Sequence, residues 1–128
     1  MDEVELGVPR GVIESLPEES ESVEQDMRRA IVGVQSGINE AVAEADDPGE
    51  AAAAAVDAIE YMEARMERFD EFVPELRAWG QSPIYAIAWR NLYAELIAQL
   101  YDHDWLAAEL DRERNYRLVE DGIRFGGQ

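Results

Sequence analysis

The chain has no lysine, no cysteine and a single histidine, and each shortage removes a class of chemistry. Without cysteine there is no disulfide, no thiolate nucleophile and no sulfur-ligated zinc site. With His103 the only imidazole, a catalytic triad has one candidate base, and any metal would rest on carboxylates plus that residue. A di-metal carboxylate bundle needs Glu-x-x-His pairs, but the residue three before His103 is Leu100, which excludes that site. No phosphate-cradling glycine loop, calcium loop or zinc spacing occurs. Long apolar runs are missing too: none is longer than Ile84–Trp89, which falls far below the ~20 residues that span a bilayer. Met1-Asp2-Glu3-Val4-Glu5 has neither the basic nor the apolar region of a signal peptide. The expectation is a soluble, non-secreted protein with no cofactor and no metal.

What is abundant is acid. Asp and Glu number 29 against 11 arginines, a formal charge of -18 on 128 residues. Charge of this size opposes compaction by self-repulsion, a burden that halophilic proteins carry. At ~1 M salt the screening length is about 3 Å, so distant carboxylates scarcely interact. The composition therefore points to a high-salt cytoplasm, as in a halophilic archaeon, or to a virion made there. It also argues against nucleic acid and anionic membrane as partners, because both require clustered basic residues. The acidity is uneven: residues 1–50 hold 14 acids and three arginines, residues 101–128 seven acids and four arginines. Hydrophobic residues make up 47%, enough for a single domain with a real core.

The pattern predicts an all-α fold: a bundle of three long helices and a shorter fourth, with an extended arm at each end. Residues 1–16 (Val4, Leu6, Val8, Val12, Ile13, Leu16 among Gly7, Pro9 and Gly11) read as an N-terminal arm with one helical turn around Gly11–Ser15, either docked or frayed. Residues 17–121 form the bundle. Its first helix starts between Pro17 and Val23, where Ser15 with Glu18 and Ser22 with Gln25 both match a capping box. Val23, Met27, Ile31, Val34, Ile38, Ala41 and Ala45 then trace one face. Gly33 and Gly37, one turn apart, either admit a close helix or are simply tolerated. Asp47-Pro48-Gly49-Glu50 is a clear second start, with Asp47 as N-cap.

The second helix carries a heptad seam, Ala52, Ala55, Ile59, Met62, Met66, Phe69 and Val73, facing a neighbour in the same chain or another copy. Pro74 is expected to end it. Ser82-Pro83 opens a third helix to about Tyr101, apolar on every side from Ile84 to Trp89, and so read as the central, fully buried helix with the aromatic core around Trp79, Trp89 and Trp105. Its later turns carry a polar stripe of Asn91, Glu95 and Gln99. A fourth helix runs from Trp105, capped by Asp104, to about Asp121, where Gly122 stops it, with Glu113 and Arg117 paired along it. Residues 122–128 are read as an extended tail.

Trp89-Arg90-Asn91-Leu92, in an aromatic and apolar helix, resembles the core helix of HEPN-type ribonucleases, small helical bundles often paired with antitoxins. The resemblance implies a histidine a few positions past the arginine, acting on RNA. Here the position five beyond Arg90 is Glu95 and the only histidine is 13 residues on, so it implies a degenerate, non-catalytic relative.

The candidate partner-binding residues are Ile123, Arg124 and Phe125: apolar anchors alternating with a positive charge, the pattern of an extended segment that docks on a partner or folds back. The expectation is a non-enzymatic structural or adaptor subunit, a homo- or hetero-oligomer with protein partners, most concretely a head–tail connector of a virus infecting a halophilic archaeon. The alternative is a small regulatory or antitoxin-like binding module, dimerising through the Met62 and Met66 seam or using its acidic surface to imitate nucleic acid.

Overall fold

A computed structural model describes the backbone of residues 1–126 and the side chains of residues 1–122. Every regular element among them is a helix: α1 (Arg10–Glu14), α2 (Glu21–Glu44), α3 (Pro48–Ala78), α4 (Ile84–Tyr101) and α5 (Asp104–Gly126). The all-α expectation holds, but the count differs. The last helix is not the short one: α5 has 23 residues against 18 in α4. Gly122 does not stop it, and the backbone expected to be an extended tail is helical through Gly126. A lone glycine costs a helix about 1 kcal/mol, which flanking turns can absorb.

The remaining boundaries follow from local chemistry. Neither expected capping box opens α2. Ser20 precedes it, and its hydroxyl meets the Tyr85 hydroxyl at 2.9 Å instead of capping. The start of α3 is as expected: Asp47 Oδ1 accepts from the Glu50 amide at 3.0 Å, and Glu50 reaches back to the Asp46 amide at 3.0 Å. Pro74 fails to end α3. It removes only the hydrogen bond to the Asp70 carbonyl, and both residues lie on the exposed side, where water can replace it. The helix ends one turn later at Gly80, whose φ of 72° only glycine adopts without strain. The Gly80 amide then bonds to the Arg77 carbonyl and the Gln81 amide to that of Leu76, the paired bonds of a Schellman stop.

The hub of the bundle is α3, not α4: it packs against α2, α4 and α5 alike. Ala51, Ala52, Ala55, Val56, Ile59 and Met62 are all completely buried. At 100° per residue they cover an arc of roughly 140°. That breadth lets three helices reach one, and the alanines permit close approach. The first four residues of the heptad seam are thus filled by this chain's own helices, while Met66, Phe69 and Val73 are only half-buried. The core is aliphatic, closed by Met27, Ile31 and Ile38 from α2, Leu92, Leu96 and Leu100 from α4, and Leu106 and Leu110 from α5.

Two expectations about aromatics fail for the same reason. Trp79 is 67% exposed, and the first turns of α4 are not buried all round, since Tyr85 and Ile87 are each more than a third exposed. The end of α3 and the start of α4 project as a two-helix hairpin, and only their facing sides are covered. There Phe69, Trp89 and Tyr93 stack with centroids about 6 Å apart, at the edge of the core.

The N-terminal arm is docked. It lies in the trough between α2 and α4, with Val4 at 1% and Leu6 at 8% exposure, followed by the single turn of α1. Burying such side chains contributes about 1.5–3 kcal/mol each, which outweighs the fraying expected of a chain terminus.

Candidate functional site

The partner-binding residues read from the sequence, Ile123, Arg124 and Phe125, fall on α5. Their side chains lie outside the described residues, but the backbone they share is helical. That corrects the extended-arm geometry. A helix turns 100° per residue, so residues two apart no longer share one edge.

The helix leading to them divides into two parts. Its first half packs: Leu106 and Leu110 are fully buried. Its middle is anchored on α3 by arginines. Arg114 Nη2 reaches Glu63 at 3.0 Å. Arg117 donates from Nε to Glu113 at 3.0 Å, from Nη1 to Asp57 at 2.8 Å, and from Nη2 to the Ala53 carbonyl at 3.1 Å. Burial alone would lower the Arg117 pKa, but the hydrogen bonds and charges of Asp57, Glu113 and Glu60 outweigh it and push it up. The charge is therefore fixed at any physiological pH. From Leu118 through Gly122 every described side chain is exposed. Leu118 is 68% and Val119 62% exposed, with Tyr116 at 62% just before them. An anchored helix thus leaves apolar residues beyond Arg117 exposed.

A second apolar feature lies between α2 and α3. Ala30, Gly33, Val34, Gly37, Ala54 and Ala58 line a groove of about 450 Å³, with Tyr61 and Tyr93 at its wall. Gly33 and Gly37 do not bring a helix of this chain close, because an added Cβ would meet nothing within 4 Å at either. Burial raises the Tyr93 pKa, the Tyr61 phenol adds to that, and the Arg65 guanidinium opposes it.

The residues weighed for catalysis stay apart. Arg90 is held by Asp70 at 3.4 Å and by the neighbouring Asn91. The 13 residues from Arg90 to His103 amount to about 20 Å of helix. His103 packs edge-on against Trp105, with its Nε2 buried and without a hydrogen-bond partner among the described residues. No group of three or more His, Asp and Glu side chains among the described residues is placed to hold a metal ion. No helix of the described residues is long and apolar enough to cross a membrane.

Sequence reasoning missed the residues that seat the N-terminal arm. Asn39 and Gln35, one turn apart on α2, and Gln99 on α4 hydrogen-bond its backbone, and Trp105 on α5 adds a fourth contact. Three amides bordering apolar stripes were the available signal. The comparisons with known proteins add a family and nothing narrower. No curated protein and no solved structure matches the chain. One family model covers residues 1–127, and the chain belongs to that family, described as a family of unknown function (DUF7971).

Proposed function

We propose that the chain is a non-enzymatic structural or adaptor subunit of a larger assembly in a halophilic archaeon or its virus, a head–tail connector-type virion subunit being the most concrete form. The observation that carries this reading is the outer part of α5. Its base is pinned to α3 by Arg114 and Arg117, while Leu118 and Val119 are left exposed. Holding apolar side chains in water on an anchored helix suits docking into a partner's groove.

The test is the mass of the native complex from a halophilic host at molar KCl, by light scattering, with identification of co-purifying chains. A ring-sized or heteromeric mass that collapses in a Leu118→Ser, Val119→Ser variant supports the reading; a mass unaffected by the change refutes it. The halophilic setting has its own check. Thermal stability is expected to rise with KCl and to fall on dilution toward ~0.1 M as carboxylate repulsion returns. A melting temperature indifferent to salt removes that part.

A second reading, a small regulatory or antitoxin-like binding module, draws on the apolar groove between α2 and α3. Dimerisation through Met62 no longer supports it, since Met62 is filled by its own chain. Partner capture lost on Gly37→Leu but kept on Leu118→Ser would favour this reading over the first.

A further inference from the structure

The N-terminal arm is held as a separate peptide would be held. From Asp2 to Gly7 its backbone is read by side chains from elsewhere in the fold. Asn39 takes the amide of Val4 at 2.7 Å and gives to its carbonyl at 2.9 Å. Gln35 takes the Leu6 amide at 2.7 Å. Gln99 repeats the two-way bond on Gly7, at 2.7 and 2.9 Å. Trp105 Nε1 donates to the Asp2 carbonyl at 3.0 Å. Val4 and Leu6 enter the core, while Glu3 and Glu5 remain in solvent. Main-chain bonds for affinity and alternate pockets for specificity are how extended peptides are received on sheet edges. Here amide side chains on helices supply the edge.

The connection to the body is a strained turn. Glu19 sits at a φ of 64°, a left-handed conformation that non-glycine residues rarely adopt. Around it the chain folds back, so that Ile13 and Leu16 line the same recess as Glu21 and Glu24. Straightening this turn releases the strain and costs the arm none of its six backbone hydrogen bonds, provided another groove receives it.

We propose that the trough between α2 and α4 is a receptor for the arm of a second copy, and that copies link by exchanging residues 2–16, the arm together with α1 and its buried Val12. The identical arm matches Asn39, Gln35, Gln99 and the Val4 and Leu6 pockets by construction. A short tether gives the chain's own arm a millimolar effective concentration. The closed form therefore dominates in dilute solution, and exchange takes over where copies are crowded together or the turn cannot close. The proposal is independent of the role assigned to α5.

The experiment deletes Pro17, Glu18 and Glu19, leaving too little chain to fold back. With Leu118→Ser and Val119→Ser also in place to remove association through α5, the full-length chain at micromolar concentration is expected to scatter as a monomer and the deletion variant with at least twice that mass. In that oligomer the amides of Val4, Leu6 and Gly7 are expected to stay as protected from hydrogen exchange as in the parent. A monomeric variant overturns the proposal, and so does an oligomer whose arm amides exchange freely. Should the deletion variant not fold, the full-length chain at millimolar concentration gives a second readout. A concentration-dependent rise in mass that Leu6→Asp abolishes supports exchange; no rise, or one that survives Leu6→Asp, overturns it.

Discussion

The two ends of this chain look alike as sequence and meet opposite fates. Each is a short run of apolar residues spaced by acids, arginine and glycine. The N-terminal run is extended and docked, with Val4 nearly inaccessible; the C-terminal one continues a helix, with Leu118 two-thirds exposed. The difference lies in what waits for each. A trough with three amide side chains receives the first, satisfying backbone groups that no helix or sheet of its own supplies. Among the described residues nothing equivalent faces Leu118 to Gly122, and the backbone there satisfies itself by remaining helical. Hydrogen bonding settles which conformation each end takes, and in the arm apolar burial adds the larger share of the docking energy.

Four substitutions sharpen or break that contrast, beginning with a benchmark from the shared core. Met62→Ala removes a fully buried side chain of α3 and is expected to cost about 3 kcal/mol in urea unfolding; a folded, dissociated chain at little cost would instead make the seam an interface. Leu6→Ala should cost about 2 kcal/mol and speed hydrogen exchange along residues 2–7, which would place the arm energetically with the core. Asn39→Ala strands the amide and carbonyl of Val4, for about 1.5 kcal/mol. If it proves neutral, the amide ladder is incidental and apolar burial alone seats the arm. Leu118→Ser should change stability by under about 0.5 kcal/mol, so any effect on complex mass is a binding effect. A large destabilisation there would mean that α5 packs further along than Arg117.

How far the sequence could be read depended on whether a feature was local. The start of α3 was legible in Asp47-Pro48-Gly49-Glu50, since capping is settled within four residues. So was the Glu113 and Arg117 pair, one turn apart. Pro74 misled because its effect depends on whether the freed carbonyl is buried, which is a tertiary fact. The run Ile84–Trp89 misled because apolar composition cannot say how many neighbours a helix has, and α3 and α4 outrun the others at that end. Gln35, Asn39 and Gln99 could not be matched to the arm, because their partners lie 29 to 92 residues away. Ile123, Arg124 and Phe125 stand out in the sequence by two-residue alternation, which a helical backbone does not keep.

The arm's contacts also impose an order in time. Gly7 is held by Gln99 and Asp2 by Trp105, partners 92 and 103 residues later in the chain. At the usual pace of synthesis those partners appear roughly 5–20 s after the arm. The arm is therefore made well before it can settle, and its docking is among the last steps of the fold. Until then the residues that will become the most inaccessible in the arm are displayed to whatever is nearby, including finished neighbours on the same messenger.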